Sequence, residues 1–427
     1  MAIVIGSSLL YWCTQDVGLN DDSLGQLRDW WSLSRGGSTY YPLGYPVFLG
    51  CLEFVGLIPI GGLSTLLQQI LGCLATWWLY RILASFLPEA TALTAAALTH
   101  VFPATLAMHQ AVCSESLAHS TVIGSLWYCV RLHDSMRAKD AIAAGLLAGV
   151  ACTIRVAPIA AFLTGLVIVS WGGDWRRRWL NCGIGVCAAG CFILLCCSVG
   201  WLWSGHFGPA NSIEGHLFNR IINEQGLVNH DGIATRRIVA LAGPLHKKGS
   251  EHTAVRVRLE QCGMSYEGSM QLLGRAAWEG VGENWLAYGS YSIRQSVMQL
   301  FMNPEMPVGN ESSFAPAELT WAPVCGATLT ASWALRKVRG AQGLLWPFCA
   351  TVACLGFVRL VRSRRVETVA WATAAPALLL CQAAIEQSIP RYTVPVVAFV
   401  VPMTVVGMLC IVGLVNRCTP RLRAGEV

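Results

Sequence analysis

Few residues in this chain are of a type that does chemistry, and most of those sit where apolar stretches begin or end. Asp21 and Asp22 follow the first apolar segment, Glu115 follows Ser114, Arg155 lies inside an apolar run, and Arg391-Tyr392 stands five residues after Glu386. Ionisable groups at bilayer depth are costly and so mark function first. A carboxylate at Asp21 or Asp22 could act as general base for a sugar or lipid hydroxyl once within about 3 Å of its proton. Asn20, Asp21 and Ser23 are equally good helix starters. Glu115 suits a sugar hydroxyl or a cation, and it also suits the positive end of a helix dipole. Arg391 beside Tyr392 offers a planar donor fork for phosphate or an interfacial anchor. Arg155 must be paired, snorkelling or lining a cavity. Tyr41-Pro42-Leu43-Gly44-Tyr45-Pro46 presents Tyr41 and Tyr45 as faces for a sugar ring or an isoprenoid, or as an aromatic belt.

Other chemistries lack their residues. The histidines from His206 to His252 show no HExxH or HxH spacing, and the 18 cysteines lie mostly in apolar stretches as packing residues, so no zinc site is expected. A Walker A loop, a GxGxxG after a strand and a GxSxG elbow are all absent. The formal charge of +6 is parcelled into short segments between apolar runs. It therefore reads as membrane orientation, not as affinity for nucleic acid.

The elements that must position these residues are apolar. Of 427 residues, 54% are hydrophobic and 13% charged, against about 25% charged in soluble domains. Runs near the length of a bilayer-spanning helix, bounded by arginines, predict an all-α polytopic integral membrane protein with about ten to twelve spans. The chain divides into an N-terminal transmembrane bundle over 1–203 whose first outer loop is 14–41, a polar extracytoplasmic region over 204–320, and C-terminal transmembrane helices over 321–427. Leu63–Leu83 and Leu180–Trp203 read as spans, and Ala141–Trp171 reads as two helices or a pair broken around Arg155. Counting crossings forward from Arg176-Arg177-Arg178 and backward from Arg417, Arg421 and Arg423 leaves a disagreement of one crossing. Either Trp321–Leu335 or Gly343–Val358 must not span separately.

The order of these features resembles the GT-C superfamily of membrane glycosyltransferases, in its RgtA/B/C/D-like and protein O-mannosyltransferase-like branch. Asp22-Ser23 is similar to the acidic motif of the first outer loop, and Tyr41–Leu49 (YPLGYPVFL) to the stretch about twenty residues later. Pro103 with Ser114-Glu115-Ser116-Leu117, Ala144–Pro158 (AGLLAGVACTIRVAP) and Arg391-Tyr392-Thr393-Val394-Pro395 follow in family order. The sequence departs from the pattern at Tyr40, Leu43 and Gln26. The resemblance implies a GT-C-type helix bundle in a bacterial inner membrane, with its active site on the extracytoplasmic face. It implies sugar transfer from a polyprenyl-phosphate donor to a glycan, lipid or protein acceptor by one inverting displacement. Asp22 or Asp21 would be the base, and Glu115, Arg391, Tyr392, Tyr41, Tyr45 and Arg155 would bind substrate. No cofactor is required, and a divalent metal is allowed for but not indicated. The competing class is a transporter or lipid flippase using Arg155 and Glu115 as buried binding charges.

Overall fold

A computed structural model describes residues 1–14, 21–35, 40–55, 59–171, 174–204, 208, 212–302, 304, 328–363, 366–385 and 396–418. Within them the chain is helical and contains no strand. It runs through α1 (Ala2–Thr14), α2 (Asp21–Leu33), α3 (Gly44–Glu53), α4 (Ile60–Ala84), α5 (Glu89–Val101), α6 (Pro103–Gln110) and α7 (Ser114–Ser135). Then come α8 (Ala138–Ile154), α9 (Pro158–Ser170), α10 (Trp175–Ser204), α11 (Ser212–Phe218), a π-helical turn (Asn219–Glu224), α12 (Ile233–Ala242) and α13 (His252–Gln261). The chain continues as α14 (Tyr266–Glu283), α15 (Trp285–Phe301), α16 (Thr328–Arg362), α17 (Val366–Ile385) and α18 (Val397–Cys418).

By length and composition, two described helices can each cross a bilayer: Trp175–Leu202 within α10, and Leu345–Arg362 within α16. A third crossing follows if α5 and α6, bent by 54° at their junction, form one broken span. Among the described residues Ala2–Cys13, Pro158–Ser170, Trp371–Ala384 and Val397–Gly413 are apolar but shorter. Other long helices carry buried polar side chains: Ser64, Thr65, Gln68, Gln69 and Thr76 line α4, and Ser116, His119, Ser120 and Ser125 line α7. The parity conflict has a structural answer. Thr328–Arg362 is a single helix, so the described part of Trp321–Leu335 and all of Gly343–Val358 lie on one element.

The bundle's long helices pack closely because they carry small residues where they meet. A methyl group added at Gly145 of α8 would collide with the Gly185 carbonyl of α10, and one at Gly149 would lie 3.0 Å from the Ala189 carbonyl. The glycines of the AGLLAG stretch therefore do packing work, as small residues do between membrane helices. Between α16 and α18, added methyls at Gly356 and Gly407 would likewise meet the Met403 and Val352 carbonyls.

The two ends of the bundle differ in chemistry. At one end Arg131 pairs with Asp140 at 3.2 Å. Nearby, Arg178 donates to the Val169 carbonyl at 3.0 Å, and Arg81 stacks 5.3 Å from the Trp127 ring. At the other end stand the starts of α3, α4, α7 and α9 and the finish of α8. There a second core, built on Leu217, Phe218, Ile221, Ile238, Leu259 and Leu273, organises residues 212–301 into helices. Glu279 of α14 closes the first turn of α12 by accepting from the Ala234 and Thr235 amides at 2.9 and 3.1 Å. These contacts hold its carboxyl below the usual range, against the opposing pull of burial. Arg220, 1% exposed, ties this region to α17 by donating from Nε and Nη2 to the Ala383 carbonyl at 2.8 and 2.6 Å.

Candidate active site

Glu115 is the second residue of α7 and is 3% exposed. Arg155 follows the last residue of α8, where the backbone turns extended (φ −151°, ψ 146°) before Pro158 opens α9. Because α7 begins where α8 ends, the two side chains meet: Arg155 Nη1 donates to Glu115 Oε1 at 2.8 Å. Of the three readings open for Arg155, the fold shows it paired. Arg155 also lines a small space of about 20 Å³ with His119, Pro158 and Gln382, which is room for roughly one water.

The turn Tyr41–Pro46 is held against this pair. A methyl at Gly44 would stand 2.7 Å from Thr153 Oγ1 and 2.9 Å from Ile154 Cγ1, so a side chain there would push the turn off the end of α8. Tyr45 is fully buried, and its hydroxyl donates to Gln68 Oε1 at 2.7 Å. Gln68 in turn donates to the Ala111 carbonyl at 2.7 Å. Tyr45 thus faces the core and braces the segment leading to Glu115; it presents no face to a ligand. Tyr41 is half-buried, with its ring against Gly25 of α2.

Asp21 and Asp22 open α2, and their side chains lie outside the described set. The backbone position is informative. Ser23, the next residue, donates to the Val112 carbonyl at 2.7 Å, which places the start of α2 beside the turn that introduces Glu115. Arg391 and Tyr392 lie outside the described residues.

The structure adds residues that sequence reasoning did not select. Asp29, two turns beyond Asp22 on α2, is 8% exposed and accepts the Tyr40 and Tyr41 amides on Oδ2, the former at 2.8 Å. Burial pushes its carboxyl up to about 7, although both amides favour the charged form. Tyr40 packs beside His216 of α11 and stacks on His252 of α13, with ring centroids 6.1 and 6.0 Å apart. Asn219 accepts the His252 amide on Oδ1 at 2.7 Å and so turns its NH2 toward Nδ1 of that ring, also at 2.7 Å. The neutral ring then carries its proton on Nε2, 3.2 Å from the Tyr40 hydroxyl. Burial lowers both histidines to about 4; the Arg155 guanidinium adds to this for His216, and His216 itself for His252. Asp29, Tyr40, His252, Thr253, Arg256 and Tyr266 enclose an open cleft of about 430 Å³. A chain of side chains thus runs from Glu115 through Arg155, His216 and Tyr40 to this cleft. Asp29 shares a helix face with Asp22 and Tyr40 adjoins Tyr41, and these were the available signals. Nothing in the sequence pairs His216 with His252, because that contact depends on how the 204–320 region folds.

Among the described residues no three His, Cys, Asp or Glu side chains converge in metal-binding geometry. The Glu115 carboxylate is already engaged by Arg155.

No curated protein sequence matches the chain. Among solved structures it is similar to the archaeal oligosaccharyltransferase AglB from Archaeoglobus fulgidus in complex with an inhibitory peptide and a dolichol-phosphate. The identity is 12% and the TM-score 0.49, over 100% of this chain and 52% of that one. The chain therefore spans about half the length of that protein. It is also similar to ArnT from Cupriavidus metallidurans bound to undecaprenyl phosphate, at 12% identity and a TM-score of 0.40 over 95% of this chain and 77% of that one. The apo ArnT structure gives 11% and 0.37 over the same shares. Residues 64–203, which hold Glu115, Arg155 and the AGLLAG packing glycines, match the family described as dolichyl-phosphate-mannose-protein mannosyltransferase, and the GT-C resemblance read from the sequence is borne out over that stretch.

Proposed function

We propose that this protein is a membrane glycosyltransferase that moves a sugar from a polyprenyl-phosphate donor to an acceptor hydroxyl on the extracytoplasmic side. The observation that carries the reading is convergence at one end of the bundle. The start of α2, the Tyr41–Pro46 turn and the Glu115–Arg155 pair meet there, within or beside the stretch that matches the mannosyltransferase family. The arginines at the opposite end support a cytoplasmic placement for that end.

In this reading Asp22, or Asp21 beside it, takes the proton of the acceptor hydroxyl as its oxygen attacks the anomeric carbon. The new C–O bond forms while the bond from that carbon to the phosphate oxygen breaks. The electron pair leaves with the lipid phosphate, and the anomeric configuration inverts. Arg391 and Tyr392 stabilise the departing phosphate, since a planar guanidinium matches its oxygens. Arg155 fixes the Glu115 carboxylate, whose Oε2 also takes the Ser114 hydroxyl at 3.4 Å, and the carboxylate so held orients a sugar hydroxyl. Tyr41 contributes a ring wall.

The test is transfer by the purified full chain from a panel of polyprenyl-phosphate sugars, with Asp22→Asn and Asp21→Asn in parallel. Loss of a general base lowers the rate about 10²–10⁴-fold, so one of the two variants should fall by that much while remaining folded. Unchanged transfer by both would remove this base from the mechanism. A transporter would instead be sensitive at Arg155 and silent at Asp22.

A further inference from the structure

We propose that the cleft bounded by Asp29, Tyr40, His252, Thr253, Arg256 and Tyr266 is the binding site for a neutral saccharide, the terminal sugar of a glycan acceptor. This rests on the transferase reading and names its acceptor class.

The lining argues for a hydroxyl-rich ligand of no net charge. Asp29 spends Oδ2 on two backbone amides, and its Oδ1 accepts no hydrogen bond among the described residues, so it can accept one from a sugar hydroxyl. Arg256 gives Nη1 to Glu260 at 2.7 Å, and its Nε and Nη2 have no protein partner among the described residues. Glu260 offsets the Arg256 charge, which leaves little to attract an anion. The guanidinium lies 5.0 Å from the Tyr266 ring centroid and fixes that ring at the cleft wall. Tyr40 is held equally firmly by His252, whose orientation Asn219 sets. Two rigid aromatic rings beside a carboxylate and a guanidinium offer faces for a pyranose's C–H groups and charge-assisted partners for its hydroxyls.

Other occupants fit less well. The lining is polar, so an isoprenoid chain would bury little apolar surface there. Every wall is helix or turn with no exposed strand edge, so an extended peptide would find no ladder of backbone partners. At about 430 Å³ the cleft lies within the roughly 300–1,000 Å³ range of small-molecule sites. Its position suits an acceptor. Tyr40 belongs to the cleft and also packs on His216, which in turn neighbours Arg155.

The experiment measures binding by saturation-transfer NMR and calorimetry on the full-length protein in detergent or nanodiscs, without donor. The probes are the methyl glycosides of mannose, glucose, galactose and arabinose, with inorganic phosphate and a glycine tetrapeptide alongside. At least one methyl glycoside should bind. Tyr266→Ala and Arg256→Gln should each weaken it by tenfold or more, while Tyr266→Phe, which keeps the ring, stays within threefold. Variants count only where their melting temperature matches the parent's, and two substitutions on different turns guard against one misfolding. Binding of phosphate or peptide alone, or equal glycoside binding by the parent and both weakened variants, would overturn the proposal. Because no donor is present, the outcomes separate: glycoside binding without any sugar transfer retains this site and removes the transferase reading. Transfer without glycoside binding does the reverse.

Discussion

Glu115 and Arg155 are both buried, 3% and 9% exposed, and pair with each other. Breaking a buried pair by removing one partner costs about 3–5 kcal/mol, because the other charge is left unpaired. Glu115→Gln should therefore lower the melting temperature markedly, and Glu115→Gln with Arg155→Met should recover part of the loss, as read by thermal unfolding in detergent. Asp29 gives a second prediction at this scale. Its carboxyl titrates near 7 in the fold, above the ordinary value of 3.8, so the folded protein binds this proton more tightly than the unfolded chain does. Its contribution to stability is full below about pH 4 and is lost as pH rises toward 7. Asp29→Asn should abolish that loss, so its melting temperature should gain on the parent's between pH 4 and 7 and hold a constant lead above it. His216 and His252 run the other way. Their folded values near 4, against 6.5, make acid destabilising over that interval, and the Asp29→Asn comparison isolates the carboxyl from them. Glu115 and Arg155 could be picked out of the sequence singly, since charge amid apolar residues is conspicuous. Their partnership could not, because it depends on a helix break forty residues downstream.

At the scale of elements, packing follows small residues and breaks follow proline and charge. The break at Arg155-Val156-Ala157-Pro158 was legible because proline starts a helix well and continues one poorly. The kink between α5 and α6 falls at Pro103 for the same reason. One glycine on α8 and one on α10 allow a sharper test. A side chain at Gly145 meets backbone of α10, whereas one at Gly183 meets nothing within 4 Å. Gly145→Leu should sharply reduce the yield of folded protein, while Gly183→Ala should be neutral or raise stability by up to about 1 kcal/mol, the helix-propensity difference. Size-exclusion yield and melting temperature check both. The single long α16 was not legible, because Arg336, Lys337 and Arg339 mimic a loop between two spans.

For the whole molecule, the decisive feature is that the described residues 212–302 build a core of their own and still dock on the bundle end that holds Glu115 and Arg155. Hydropathy could show that this region is polar, but not that His216 and His252 would reach Tyr40. Its attachment to α17 runs through Arg220, and Tyr288 adds a bond to the Ala384 carbonyl at 2.6 Å. Arg220→Ala should loosen the region, seen as faster protease cleavage within 225–265 with the long helices intact. In the proposed function a sugar leaves a lipid phosphate at this end of the bundle. The most direct measurement incubates the purified full chain, in lipid, with radiolabelled polyprenyl-phosphate sugars and candidate glycan acceptors, and follows both products. Polyprenyl phosphate should be released in equal amount to glycan labelled, with inverted anomeric configuration. Intact donor lipid moved across the membrane without cleavage of its sugar would contradict the proposed function.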